Sequence, residues 1–150
     1  MLKEGQIIDD FTLEDDNGQM VTLSQFKGQK VVVYFYPRDN TPGCTKEACS
    51  FRDDYSLILS KKAVVLGISP DSVKSHEKFK TKFDLPFYLL SDPDKKVAQY
   101  FGAYGEKKMY GKTSMGIIRS TFIIDENGVL IKVFPKVSPA EHALEVLEYL

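Results

Sequence analysis

Two cysteines, Cys44 and Cys49, are the residues of this chain best suited to do chemistry. Cys44 lies in Pro37-Arg38-Asp39-Asn40-Thr41-Pro42-Gly43-Cys44-Thr45, after the apolar run Val31-Val32-Val33-Tyr34-Phe35-Tyr36 and before a stretch of helical pattern. A strand that ends in a turn and opens a helix gathers the first helical amides at one solvent-facing point. The positive end of the helix dipole there favours thiolate over thiol, and the thiolate is the nucleophile. Thr41 puts a hydroxyl three residues before the sulfur, able to donate to or accept from a polar substrate. Pro37 and Pro42 stiffen the turn and limit solvent at the site. The plainer alternative is a small apolar group packed at a helix start, as free cysteines often are.

Cys49 lies five residues further along the same predicted helix. On an intact helix that spacing separates two residues by about 7.5 Å of rise and roughly 140° of rotation. Their Cα atoms then stand about 8.5 Å apart, beyond the roughly 7 Å limit for a disulfide. The two cysteines can bond only if the first turn unwinds. The spacing therefore predicts a redox cycle rather than a permanent staple, although Cys49 also falls near the apolar stripe and core packing would explain it. Arg119 precedes Ser120-Thr121-Phe122 at the mouth of a late strand. A guanidinium there can hold a thiolate and polarise an oxygen substrate, but a strand-end arginine is usually a surface charge.

These residues need a scaffold, and the apolar pattern supplies one. Phe11-Leu13 and Met20-Leu23 flank Asp16-Asn17-Gly18, an N-terminal hairpin. Ser24 and Gly28 bracket a short helical turn. Lys30–Tyr36 and Ala63–Ile68 are continuous β-branched and aromatic runs, hence buried strands, and Phe87–Leu90 is a third. Between them, one helix is predicted from about Gly43 to Ser60, with Phe51, Tyr55 and Ile58 or Leu59 as its apolar face. A second is predicted to start at Ser69-Pro70-Asp71, with Val73, Phe79 and Phe83 buried. A third begins at Asp92 and Pro93, buries Val97, Tyr100 and Phe101, and ends at Gly102. Ala103–Gly116 reads as a long polar loop with three glycines. Ser120–Ile124 and Val129–Phe134 form a hairpin through Asn127-Gly128. Ser138-Pro139-Ala140-Glu141 reads as a capping box for a last helix with Ala143, Leu144, Val146, Leu147 and Leu150 on its apolar face. Strands alternating with helices, closed by a hairpin and a helix, predict an α/β, thioredoxin-like fold: a central mixed sheet covered by helices.

Composition excludes several functions. A chain of 150 residues is expected to form one domain, residues 1–150, and to bury roughly 70% of its unfolded surface without a staple or metal. The net charge of −1 gives no basic footprint for nucleic acid or an anionic membrane. The polar start Met1-Leu2-Lys3-Glu4-Gly5-Gln6 lacks a secretory pattern, so the expected location is the cytoplasm. There a cysteine pair is more often catalytic, redox or metal-binding than structural. A metal site from C-x4-C with His76 and His142 is disfavoured: neither histidine has metal-motif spacing, and both are expected to be solvated. The Cys-x-x-Cys of protein disulfide exchange is absent, as are phosphate-binding and dinucleotide-binding loops.

Pro37-x-x-x-Thr41-x-x-Cys44 resembles the peroxiredoxin active-site pattern. Thr41-Pro42-Gly43-Cys44-Thr45 with Glu47-Ala48-Cys49 is similar to the bacterioferritin comigratory protein, or Q-type, subgroup. Phe51-Arg52-Asp53, Gly67-Ile68-Ser69, Leu90-Ser91-Asp92 and Gly116–Asp125 extend the match in family order over nearly the whole chain. The resemblance implies a thioredoxin fold and a thiol-dependent peroxidase acting on hydroperoxides. It makes Cys44 the peroxidatic cysteine and Cys49 the resolving one. It gives Thr41 and Arg119 hydrogen bonds to peroxide and sulfur, the amides of Gly43 and Cys44 contacts to peroxide oxygens, and Pro37 a shielding role. It implies thioredoxin or a similar dithiol as reductant, no cofactor or metal, and a monomer. A redox sensor signalling through a Cys44–Cys49 disulfide shares the first oxidation and differs in lacking turnover.

Overall fold

The computed structural model describes residues 2–140 and 142–150. Nine strands and five helices are described: β1 (Thr12–Asp15), β2 (Met20–Thr22), β3 (Lys30–Phe35), α1 (Pro42–Asp53), α2 (Tyr55–Ser60), β4 (Ala63–Ser69), α3 (Val73–Phe83), β5 (Tyr88–Ser91), α4 (Lys96–Phe101), β6 (Tyr104–Met109), β7 (Lys112–Ile117), β8 (Ser120–Ile124), β9 (Leu130–Phe134) and α5 (His142–Leu147). A 3-10 turn, Leu23–Phe26, joins β2 to β3.

Seven strands make one sheet in the order β2-β1-β5-β4-β3-β8-β9. β3–β4 and β4–β5 are parallel, and the remaining pairs are antiparallel. The pattern follows from burial. β3 and β4 lie at the centre and are apolar on both faces, as parallel strands covered on two sides require. Successive β3 side chains alternate between two cores. Val31, Val33 and Phe35 join Val97, Ala98 and Phe101 of α4. Val32, Tyr34 and Tyr36 join Cys44, Ala48 and Phe51 of α1, Tyr55 and Ile58 of α2, Phe79 of α3, and Ala143 and Val146 of α5. Helices thus cover both faces, and the face under α1 carries the cysteine.

Several expectations are corrected. The stretch from 43 to 60 is two helices, broken at Asp54, so that Ile58 is buried and Leu59 faces solvent. α3 starts at Val73 behind Ser72, whose hydroxyl accepts from Ser75 N, while Pro70 and Asp71 stay in the preceding turn. α4 starts at Lys96, not Pro93; the Asp92 carboxylate still caps it, accepting from Val97 N and Ala98 N. Residues 103–116 are not a loop. They form the antiparallel β6–β7 hairpin, closed by Tyr110 and Gly111, both at positive φ. Such a pair gives the backbone twist that tight hairpins favour. Leu144 is exposed rather than part of the α5 core face. Glu141, the last member of the expected capping box, lies outside the described residues.

One close approach fixes the wall behind α1. Tyr34 and Gly67 are paired across β3 and β4. A Cβ on Gly67 would stand 2.8 Å from the Tyr34 ring, which stacks on Phe51 of α1 at 4.9 Å. Gly67→Ala is therefore expected to destabilise the fold by about 1–3 kcal/mol through overpacking, read as a lower urea midpoint; an unchanged midpoint would mean that the ring shifts freely.

Candidate active site

β3 delivers the chain to Tyr36, and residues 37–41 turn it into α1. Thr41 is the residue before the helix, in extended conformation, with Pro42 as the first helical residue. Pro suits that position because its missing N–H has no helical acceptor to meet. The first intrahelical bond is donated by Thr45 N to Thr41 O at 2.8 Å. The amides of Gly43 and Cys44 precede it, at the end of the helix where N–H groups have no carbonyl of their own turn to reach. The Thr41 hydroxyl donates to Arg38 O at 3.0 Å, closing the turn on itself.

Cys44, Glu47, Ala48 and Phe51 form the buried face of α1. Cys44 is almost wholly buried, Cys49 is half-buried, and both are free thiols on one unbroken helix. Arg119 comes to this face from the loop between β7 and β8, with its carbonyl accepting from Val137 N at 3.1 Å. Its guanidinium forks: Nη2 donates to Cys44 Sγ at 3.2 Å and Nη1 donates to Glu47 Oε1 at 2.7 Å. Arg119 is thus no surface charge. Gly43 leaves room for it, since a Cβ there would lie 3.1 Å from Nη2 and 3.5 Å from Pro139 Cγ.

Sequence reasoning gave Glu47 no role of its own. Its side chain is fully buried and Oε2 has no hydrogen-bond partner among the described residues. Burial raises its carboxyl to about 7, against the opposing charge and hydrogen bond of Arg119. Burial also works against the Arg119 charge, but Glu47 and Cys44 outweigh it and hold the guanidinium above its ordinary value. Above Glu47 sits Tyr34, whose buried hydroxyl also lacks a partner; burial first, then the charges of Glu47 and Cys44, push it well above its ordinary value. Lys107 of β6 is lowered by burial and then by the Arg119 charge. The signal for Glu47 was its spacing, three residues after Cys44 and four before Phe51, which puts it on the apolar side of α1.

The two histidines, expected in solvent, are buried. His142 faces Thr121 Oγ1 at 2.8 Å through Nε2, and burial lowers its titration. His76 faces Asp39 and the Leu90 carbonyl. Asp39, Asp71 and His76 are the cluster among the described residues with metal-ligand geometry, their atoms within 4.8 Å of one another. Both Asp39 oxygens and both His76 nitrogens already have protein partners, so hydrogen bonding accounts for the cluster.

A thioredoxin-type sheet with a forked arginine on a helix-start cysteine defines a class of thiol enzyme. The chain belongs to the AhpC/TSA family, whose model matches residues 5–133. Within it, the chain is a peroxiredoxin of the bacterioferritin comigratory protein, or Q, type. A peroxiredoxin of that type from Coxiella burnetii is 51% identical over 146 residues, covering 97% of each chain. The Peroxiredoxin Bcp of Bacillus subtilis is 49% identical over 146 residues, 97% of this chain and 93% of that one. Among solved structures, a variant of peroxiredoxin Q from Xylella fastidiosa superposes with a TM-score of 0.94 at 35% identity, covering 99% and 95% of the two chains. The Xanthomonas campestris Bacterioferritin Comigratory Protein, solved in work on its alkyl peroxide reduction activity, gives 0.88 at 40% identity over 93% and 88%. The family makes the chain a thiol peroxidase, an oxidoreductase.

The Glu47 carboxyl yields a pH test. Unfolded, it titrates near 4.5; folded, near 7. Between these values the folded chain holds more protons than the unfolded one, so stability falls as pH rises. Its contribution is complete below pH 4.5 and is lost as pH climbs through about 7. The loss is of order 3 kcal/mol. Glu47→Gln keeps an acceptor for Arg119 and removes the titration. Urea unfolding at pH 5 and pH 8 is expected to show a steeper loss for the parent chain than for this variant; equal slopes would contradict the assignment.

Proposed function

We propose that the chain is a single-domain peroxidase in which Cys44 is the peroxidatic and Cys49 the resolving cysteine. The observation that carries this is the 3.2 Å hydrogen bond from Arg119 Nη2 to Cys44 Sγ at the first turn of α1. The Cys44 thiolate attacks one peroxide oxygen; the S–O bond forms, the O–O bond breaks, and the sulfur becomes a sulfenic acid. The leaving oxygen takes a proton and departs as water or an alcohol. The Arg119 guanidinium, the Thr41 hydroxyl and the amides of Gly43 and Cys44 stabilise charge on the two oxygens as it develops. Pro37 and Pro42 hold the turn and shield the sulfur from bulk water. Cys44 is almost wholly buried on the inner face of α1, so small or slender hydroperoxides suit it.

The resolving step needs movement. α1 runs unbroken from Pro42 to Asp53, and five residues of intact helix hold two cysteines too far apart to bond. The first turn unwinds, the Cys49 thiol attacks the sulfenic sulfur, water leaves, and a disulfide forms. An external dithiol, thioredoxin or a relative, reduces it by exchange. The sum is one hydroperoxide and one dithiol converted to alcohol, water and disulfide. By its resemblance to the Q-type subgroup the chain works as a monomer, and the cytoplasm is its expected location. Among the described residues no helix is long and apolar enough to cross a membrane.

Cys44→Ser is expected to abolish peroxide consumption, measured by loss of hydroperoxide with a dithiol present; retained turnover would remove Cys44 from the mechanism. Cys49→Ser is expected to react once and then accumulate sulfenic or over-oxidised Cys44, seen by mass as added oxygen. Normal turnover with thioredoxin would show that resolution does not need Cys49. Arg119→Ala is expected to slow the peroxide step by about a hundredfold, the scale of losing one preorganised donor, with the circular dichroism spectrum kept; an unchanged rate constant would reduce Arg119 to packing.

A further inference from the structure

The turn that presents Cys44 is anchored from behind by a buried group that the reaction itself does not use. Asp39 and His76 are both buried, and His76 Nδ1 lies 2.7 Å from Asp39 Oδ2. Ser75 donates its hydroxyl to the same oxygen at 2.8 Å, and the Tyr36 hydroxyl donates to Asp39 Oδ1 at 2.6 Å. The other ring nitrogen, Nε2, lies 3.0 Å from the Leu90 carbonyl of β5. A carbonyl oxygen only accepts, so Nε2 carries a proton. An ionised Asp39 carboxylate also only accepts, so opposite it Nδ1 needs one too. A neutral imidazole has a single N–H and serves both contacts only if Asp39 itself carries the proton.

We propose that His76 is a positioning residue of the peroxidase reaction: doubly protonated, it clamps Asp39 between α3 and β5 and so fixes the turn that places Thr41 and Cys44. The inference rests on the assignment of Cys44 as the reacting group. The backbone of the same residue is tied as well, Asp39 N donating to Asp71 Oδ2 at 2.8 Å, which also accepts from the Ser69 hydroxyl at 2.7 Å. The next residue, Asn40, sits at φ 59°, a left-handed conformation that asparagine tolerates in turns. The clamp lies two residues before Thr41. It grips residues 36–39 and leaves the first turn of α1 free to unwind, so it separates the fixed part of the site from the part that moves. The titratable groups facing the ring are Tyr36 from the end of β3, Asp39 from the turn and Asp71 from the β4–α3 connection; Lys74, Lys78 and Lys82 line the groove outside Asp39.

The test has two arms. Nitrogen-resolved NMR of the histidine rings in the intact protein at neutral pH is expected to show His76 with both nitrogens protonated, and with Nε2 alone protonated in Asp39→Asn, where the amide can donate to Nδ1. A single protonated nitrogen in the parent chain would overturn the proposal. In stopped-flow reaction with hydrogen peroxide, His76→Gln keeps a donor toward Leu90 and loses the one toward Asp39, and is expected to slow the peroxide step between about tenfold and a hundredfold. His76→Asn restores a donor near the Nδ1 position and is expected to recover part of that loss. His76→Gln reacting at the parent rate would overturn the proposal, as would His76→Asn doing no better than His76→Gln. A parent chain that does not react rapidly with peroxide would instead sink the assignment of Cys44, before any variant is compared. If His76→Gln does not fold, the NMR arm and Asp39→Asn decide alone.

Discussion

The arginine fork holds the site together. Arg119 arrives from the strand side of the sheet and binds two groups on one face of α1, the Cys44 sulfur and the Glu47 carboxylate. Neither contact is local, for 75 and 72 residues separate the partners. The fork therefore forms only when β8 and α1 are both in place, and it links the folded core to the Cys44 sulfur. Glu47 gives Arg119 a second anion and so keeps its planar head aimed at the sulfur. The cost is a carboxyl with one oxygen unpartnered in the core, which burial raises to about 7. The buried carboxyl holds the guanidinium toward the sulfur; its burial does not by itself stabilise the fold.

Around that fork the molecule divides into fixed and movable parts. β3 and β4 are apolar on both faces and carry the turn of residues 37–41 at their ends. Behind the turn, Tyr36, Asp39, Ser75, His76 and Asp71 make a connected set of hydrogen bonds to α3 and β5. In front of it, the first turn of α1 is held by its own backbone, by the sulfur contact and core packing of Cys44, and by Pro139 beside Gly43. Further along, the Ser50 hydroxyl accepts from Ala143 N at 3.2 Å and joins α1 to α5 beyond Cys49. The constraint that two cysteines five apart cannot bond on a helix thus falls on the segment between the turn of residues 37–41 and the Ser50–Ala143 bond.

The buried strands and the cysteine site could be read from the residues because their signals are local. Runs such as Val31–Phe35 are apolar on both faces in any window, and Cys44 after Thr41-Pro42-Gly43 marks a helix start by itself. Gly102, in the left-handed conformation, ends α4 where expected. The misreadings of the two histidines have one cause: a partner distant in sequence overrides the neighbours. His76 and His142 sit among charged residues, yet His76 is three residues before Phe79 on the buried side of α3, and His142 lies between Phe51 and Phe134. The β6–β7 hairpin is polar and largely exposed, so no alternation marks it, and its turn is Tyr110-Gly111 rather than Asn-Gly. Arg119 carries no local signal of its own; the family resemblance assigns it to the sulfur, and the fold brings Glu47 and Cys44 to it.

The central claim is that Cys44 attacks peroxide and is resolved by Cys49. The most direct test mixes fully reduced protein with one equivalent of hydrogen peroxide in a stopped-flow instrument and then records the intact mass. The account predicts a fast reaction and a loss of about two daltons, the two hydrogens given up when an internal disulfide closes. Reaction at the pace of an ordinary free thiol, or a product that gains oxygen without closing the disulfide, would contradict it.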